Sequence, residues 1–316
     1  MPRLICLAGM VTDLIAEVTL PIMAGVAQDA RPMRFEAGAS ANVMIAAARL
    51  GISVQALGAL GTDPAGTLLL EVLRDEGIDT SLIDVSRTTI SPLTLALIDH
   101  QSKQHVFIGN VGQGDPPPFT AQIADALRQA DALYWQGYVL HETQISPLID
   151  PVLEAARARD IPIYFDSGPT IRSIAADRVR RAVQQSTIIR MTEDELPLAA
   201  EGKQGADAMR YLFDLGVEAV ITTRGAAGVA LFRPDLTLEL PSLPVQVVDT
   251  VGAGDSFNAG FLYGLLHGYD WRERLIIGNG AGAAAVQKAG AGRHVPTCAE
   301  IKSILEQTGV KLELPC

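Results

Sequence analysis

Between Val245 and Phe261 the residue types change in an order that could do chemistry. Gly252, Ala253 and Gly254 carry little or no side chain, so their amides can come close to a ligand. The apolar spacing of Phe257, Phe261, Leu262 and Leu265 predicts a helix with one buried face, opening directly after them. A helix N-terminus presents unpaired N–H groups and the positive end of the helix dipole, which together favour an anion. Asp255 falls in the same first turn. Phosphoryl transfer uses such a pair: the amides offset charge on the moving group, and the carboxylate accepts the proton of the attacking hydroxyl. An acidic residue in a first turn also serves simply to complement the dipole. The stretch alone leaves both readings open.

The elements that must position this loop are legible around it. The β-branched run Val245, Val247 and Val248 predicts a strand that ends at Asp249 and Thr250. Upstream, strands at 4–8, 54–60, 132–136, 161–166, 187–191 and 217–223 alternate with helices at 40–50, 65–76, 144–159, 172–184 and 206–215. This alternation predicts an α/β fold, a doubly wound, mostly parallel sheet flanked by helices, in a single domain over 1–316. Two excursions, about 14–37 and 88–112, hold short alternating strands such as 93–98 and 105–108 with no helix between them. They predict a small separate sheet. Such a sheet reads as a lid that excludes water from an active site, or equally as an excursion or a dimer surface. Pro116-Pro117-Pro118 closes the second excursion as a stiff connector.

Composition bounds the partners. With 316 residues, 48% of them apolar, the chain can bury a substantial core. Its net charge of −11 argues against a nucleic-acid backbone or an anionic membrane as the main partner, but not against ATP, which is held locally. The three cysteines, Cys6, Cys298 and Cys316, show no metal-ligand spacing, which suits a reducing cytoplasm. The apolar run 5–11 follows Arg3 but is interrupted by Asp13 and Glu17, so it reads as a first buried strand and not a leader. No apolar segment reaches transmembrane length unbroken. The five histidines, His100, His105, His141, His267 and His294, show no metal spacing. There is no G-x-x-x-x-G-K-[ST] loop, and the dinucleotide-like glycines at 252–257 lack the second strand and acid that a dehydrogenase needs.

The run Asp249-Thr250-Val251-Gly252-Ala253-Gly254-Asp255-Ser256-Phe257 resembles the DTxGAGD element of the ribokinase-like, or PfkB, family of carbohydrate and nucleoside kinases, and the likeness extends from about Gly9 to Gly292. The resemblance implies ATP-dependent phosphorylation of a hydroxyl, a primary one, on a small sugar or sugar derivative. It implies Asp255 as the base and the amides of Gly252, Ala253 and Gly254 as the anion hole. Ala37-Gly38-Ala39-Ser40-Ala41-Asn42 is similar to the family's Gly-Gly-x-x-x-Asn element, with alanine for the first glycine; were a positive φ needed at Ala37, alanine would be strained. Asp13, Gly38 and Asn42 are by resemblance substrate-binding, and a carboxylate or carboxamide suits a sugar diol. Residues 57–66 resemble the VGxVGxDxxG stretch, a scaffold placing Gly38 and Asp63 near the sugar pocket.

Thr192-Glu193-Asp194-Glu195 resembles the family's Asn-x-x-Glu element with the asparagine replaced. It implies Glu195 as a Mg²⁺ residue acting through water, although three neighbouring acids equally suit a helix N-terminus. Residues 222–228 resemble the TxGxxG turn beside the nucleotide, which makes Thr223, Gly225 and Gly228 nucleotide-binding, with Arg224 near the phosphates; a hairpin turn into 229–232 reads the same way. Asn279, on a helix of small residues that in the family lies beside the adenine, is a further nucleotide contact. A monovalent cation such as K⁺ would take backbone carbonyls of Asp249, Val251 and the 289–293 turn. Within the same family, a nucleoside kinase would grip a base with Phe35 or Phe107, and a kinase of phosphorylated sugars would use Arg31, Arg34, Arg87 or Lys103. A non-catalytic sugar or nucleotide sensor on this scaffold is the reading from another class. Pairing through the lid would give a homodimer.

Overall fold

A computed structural model describes every residue except Lys103, Glu142, Thr143, Glu313 and Cys316, and only the backbone of His105. Lys103 and Cys316, both singled out in the sequence, thus lie outside the described residues. The first half of the chain forms β1 (Arg3–Leu7), β2 (Met10–Val18), β3 (Met33–Ala39), α1 (Ser40–Arg49), β4 (Ser53–Gly61), α2 (Pro64–Asp75), β5 (Asp79–Ser86), β6 (Leu93–Asp99), β7 (His105–Asn110), α3 (Ala121–Gln129), β8 (Ala132–Gln136) and α4 (Ser146–Arg157). The second half forms β9 (Ile163–Asp166), α5 (Ala176–Gln184), β10 (Ile188–Thr192), α6 (Leu196–Ala199), α7 (Gly205–Asp214), β11 (Ala219–Thr223), β12 (Val229–Arg233), β13 (Leu236–Leu240), α8 (Ala253–Leu266), α9 (Trp271–Ala285) and α10 (Cys298–Gln307).

Nine strands make one sheet in the order β13-β12-β11-β10-β9-β8-β1-β4-β5. From β11 to β5 every pair is parallel; β12 and β13 add an antiparallel edge. Successive side chains of a strand point to opposite faces, and here both faces are covered. Leu4 and Cys6 of β1 pack with α1, α2, α8, α9 and α10, whereas Ile5 and Leu7 pack with α3, α4, α5 and α7. That is why the strands read as continuous apolar runs. The strand order reverses at β1, with β4 on one side and β8 on the other. In open parallel sheets ligands bind beyond the carboxyl ends of the strands at such a reversal. Gln136, Asp166, Thr192 and Thr223 close β8, β9, β10 and β11 at that edge.

The four remaining strands make the separate small sheet, ordered β3-β2-β6-β7. Asp63 fastens it: its Oδ1 accepts from the Gly66 N–H at 2.8 Å, capping α2, and its Oδ2 accepts from the Ser91 N–H at 2.7 Å. Several backbone turns here touch, since a Cβ on Gly61 would stand 2.2 Å from the Thr89 carbonyl. Residues 57–66 are therefore architecture. Asp63 lies with Thr12, Phe35 and Leu93 in a cavity of about 420 Å³ on the other side of the small sheet, not beside the substrate residues as expected.

Another expectation fails at 245–248. These residues join no sheet, and Val247 and Val248 are 61% and 58% exposed. The amides of Val248 and Asp249 instead donate to the Val286 carbonyl at the end of α9, at 2.7 and 3.2 Å. With those donors satisfied by a helix end, the β-branched run has no ladder to join. Cys6 is a buried free thiol, as its apolar run suggested.

Candidate active site

Gly252 takes a φ of 77° and turns the chain into α8. A Cβ there would stand 2.8 Å from the Ala291 Cβ, so the turn at 289–293 closes directly against it. The Ala253 N–H donates to the Thr250 carbonyl at 3.3 Å, while the Gly252 and Gly254 N–H groups have no hydrogen bond among the described residues. Against Gly254 lies the Arg190 guanidinium, whose Nη2 is 2.9 Å from where a Cβ would be. Arg190 is buried and donates to Asp166 Oδ1 at 3.1 Å and Thr223 Oγ1 at 2.6 Å. Burial opposes its charge, but Asp166 raises its pKa. A fixed cation behind two open amides strengthens the preference of this turn for an anion.

The two readings of Asp255 can now be separated. Its side chain caps no helix N–H. Oδ2 accepts from Asn42 Nδ2 at 2.8 Å and Oδ1 from Gln136 Nε2 at 3.1 Å. Both partners are themselves oriented: Asn42 Oδ1 accepts from the Gly292 N–H at 2.8 Å, and Gln136 Oε1 accepts from Ser40 Oγ at 2.8 Å. Burial pushes the Asp255 carboxyl up to about 6; the Asn42 bond opposes this, the Asp166 charge adds to it, and Arg190 and Gln136 oppose it. A carboxyl so placed is ionised near neutrality yet basic enough to accept a proton.

Asp13, on β2, lies across from Glu36 on β3 and packs over Gly38, where a Cβ would stand 2.1 Å from its Oδ2. Burial, then Asp255 and Glu36, push its carboxyl up to about 7. Asp13, Gly38, Asn42 and Asp255 thus converge from β2, β3, α1 and α8. Glu36 is buried and engaged by Arg293 at 3.4 Å and His294 at 3.6 Å. The expectation of strain at Ala37 is misplaced by two residues. Ala37 is ordinary extended strand, and the positive φ, 52° with ψ −128°, falls on Ala39 at the entry to α1.

Glu195 is buried at the start of α6, with Oε2 accepting from Ser167 Oγ at 2.8 Å and the Thr192 N–H at 2.9 Å. Its Oε1 has no hydrogen bond among the described residues, which contain no group of three His, Cys, Asp or Glu able to cage a metal. One spare carboxylate oxygen fits an ion held mainly by phosphate and water, the habit of Mg²⁺. Asp194 pairs with Arg172. Gly225 and Gly228, with φ of 54° and 92°, form the hairpin turn between β11 and β12. Arg224 reaches Glu239 at 3.2 Å, and Asn279 donates to the Pro241 carbonyl at 2.8 Å. Asp249 accepts from the Val251 and Gly290 N–H groups at 3.1 and 2.8 Å, which holds the 249–251 carbonyls next to the 289–293 turn.

Sequence reasoning missed Gln136, Tyr138, Asp166, Arg190 and Asn258. Asn258 Nδ2 donates to Asp166 Oδ2 at 2.7 Å, and Tyr164 donates to Asn258 Oδ1 at 3.0 Å, which fixes the acid that holds Arg190. Tyr138 is half-buried, its pKa raised by burial and by Asp255, Asp166, Asp13 and Glu195. Gln136 and Asp166 carried a usable signal: a polar residue closing an otherwise apolar buried strand.

Residues 1–298 match the model of the pfkB family carbohydrate kinases. This chain belongs to that family. The kinase is 27% identical over 275 residues to a ribokinase of Haemophilus influenzae, covering 85% of this chain and 87% of that one. It is 29% identical over 281 residues to an aminoimidazole riboside kinase of Salmonella typhimurium, with the same shares covered. Among solved structures, the Arabidopsis thaliana ribokinase complexed with ribose and ATP aligns with a TM-score of 0.82 at 22% identity, over 96% of this chain and 98% of that one. That last likeness is one of fold.

Proposed function

We propose that this carbohydrate kinase moves the γ-phosphoryl group of ATP to a primary hydroxyl of a small sugar or sugar derivative, with Asp255 as the proton acceptor. The observation that carries this reading is the Asp255 carboxylate, held by Asn42 and Gln136 one turn from the open amides of Gly252 and Gly254. Asp13 and Asn42 would take neighbouring sugar hydroxyls, and Gly38 leaves room for them. As the hydroxyl oxygen attacks, its proton passes to Asp255, while the open amides of Gly252 and Gly254 and the Arg190 charge offset the negative charge gathering on the phosphoryl oxygens, the Ala253 amide being held by the Thr250 carbonyl. Thr223, Gly225, Gly228 and Asn279 would border the nucleotide.

Glu195 would hold Mg²⁺ through water, and the ion supplies charge neutralisation to the phosphates when bound. The carbonyls of Asp249 and Val251, beside the 289–293 turn, would take K⁺. The small sheet would act as the lid. Its outer face, with Met33, Phe35 and Ile108 at 56%, 48% and 58% exposure, borders cavities of about 900 and 420 Å³ and would bury itself in a homodimer. Light scattering that returns one chain's mass, 33.5 kDa, at micromolar concentration rejects the dimer. No helix among the described residues is long and apolar enough to cross a membrane. A cytoplasmic setting without nucleic-acid or membrane partners completes the reading.

The test is ADP release by purified protein over a panel of sugars, sugar acids, sugar phosphates and nucleosides, with and without K⁺. Turnover of a sugar that vanishes in Asp255→Asn supports the reading, and near-normal turnover in that variant rejects the base. Of the two aromatics offered for a nucleobase, Phe35 lies on the outer face of the small sheet, whereas Phe107 pairs with Ala96 on the face of Asp13, so the nucleoside arm of the panel tests Phe107. Ligand binding without turnover by any acceptor would leave a sensor.

A further inference from the structure

Strand register divides the small sheet into two faces. Asp13, Glu36, Thr94 and Gly109 stand side by side on one of them, and Ile15, Arg34, Ala96 and Phe107 form the next row on that same face. This is the face turned toward Asp255, whose charge reaches Asp13. Among its described side chains Arg34 is the one cation. The guanidinium lies by the 289–293 turn, its Nη2 3.2 Å from where a Cβ on Gly290 would be. Its Nε is buried with no partner, and Arg34 enters no hydrogen bond or ion pair among the described residues. The nearby acids do not supply one. Glu36 is taken by Arg293 and His294, and Asp255 by Asn42 and Gln136. Arg34 as a whole is half-buried, so its unpartnered fork stands open to an acceptor from outside the chain while its buried Nε disfavours leaving it without one.

We propose that Arg34 anchors a carboxylate on the acceptor, and that the substrate is a sugar acid. The inference rests on the kinase reading above and narrows it. A carboxylate matches the planar fork of a guanidinium with two parallel hydrogen bonds. It also fits the local charge better than a phosphate does. A phosphate group would bring close to two negative charges beside Asp13, Glu36 and Asp255, with one unpaired arginine to meet them, whereas a carboxylate brings one.

The experiment measures both binding and ADP release for matched pairs that differ at one carbon, such as gluconate against glucitol and galactonate against galactitol, with sugar 6-phosphates as a third arm. Wild type, Arg34→Gln and Arg34→Lys are compared, with melting curves as the folding control. The expected result is binding and turnover of an acid in preference to its neutral partner. Arg34→Gln then lowers kcat/KM for the acid by roughly 10- to 100-fold, while Arg34→Lys recovers part of it and the KM for ATP stays within about twofold. Absence of binding by every acid overturns the proposal, as does a wild-type preference for neutral or phosphorylated sugars. So does an Arg34→Gln loss that is equal for all acceptors and accompanied by a higher KM for ATP, which would place Arg34 on the nucleotide. Failure of the kinase reading looks different: an acid binds through Arg34, yet no acceptor of any class releases ADP.

Discussion

Replacing Asp255 with asparagine separates two consequences of one buried charge. The carboxyl is held at about 6 against an ordinary 3.8, chiefly by burial. At about 1.4 kcal/mol per tenfold change in acidity, the ionised form costs the folded state up to ~3 kcal/mol above pH 7. Because Asp255 keeps some solvent access, about 1–3 kcal/mol is the working range. The sign follows from which state binds the proton more tightly. The folded pKa is raised, so this contribution is fully present below about 3.8 and is lost as pH rises through about 6. Asparagine does not titrate and lacks this loss. Its amide cannot accept from both Asn42 and Gln136, and the cost of the lost bond is the same at every pH. Comparing the two proteins at two pH values therefore cancels it.

Thermal melting without ligand, at pH 5 and pH 8, is the assay. At pH 5 only part of the contribution is present, at most about 1.4 kcal/mol, so relative to Asp255→Asn the wild type should lose roughly 1–3 °C in Tm between the two, at ~2 °C per kcal/mol for a chain of this size. Turnover of the same variant should fall by about 10²- to 10⁴-fold, the usual worth of a positioned base. An identical pH dependence of Tm in both proteins would refute the claim that Asp255 is a desolvated charge.

Three other perturbations test the surroundings. Asn42→Ala removes the bond that most opposes the raised pKa of Asp255 and strands the Gly292 N–H, so the acidic limb of the pH–rate profile should move to higher pH while stability falls by about 1–3 kcal/mol. Gly38→Ala would place a Cβ 2.1 Å from Asp13 Oδ2, and steady-state kinetics should find the acceptor KM raised about tenfold or more with the KM for ATP little changed. Ala39→Gly relieves a positive φ that costs a non-glycine residue about 1–3 kcal/mol, so after glycine's added chain entropy the net gain should be about 1 kcal/mol in a urea melt.

The sequence by itself determined the βα alternation, the small sheet, and the turn from Gly252 into α8, because each is written in contiguous residues. A buried parallel strand is an unbroken apolar run, and a glycine-rich turn opening an amphipathic helix is one local pattern. β5 and α3 are less legible. The first is half-exposed at the sheet's edge, so its apolar run is broken, and the second buries only Ile123 and Leu127. The strand expected at 245–248 failed for the converse reason, since β-branched residues favour extension but a strand also needs a neighbour to bond.

Tertiary structure alone decided what surrounds Asp255. Its partner Asn42 is 213 residues away and its partner Gln136 is 119 away, and neither spacing leaves a periodic trace in the chain. The same holds for Arg190 behind Gly254, for Asp63 as the α2 cap that also holds Ser91, and for the positive φ that settled on Ala39 instead of Ala37. Local pattern records which backbone conformations a segment prefers. Burial and charge at a site are sums over neighbours that only the folded chain brings together.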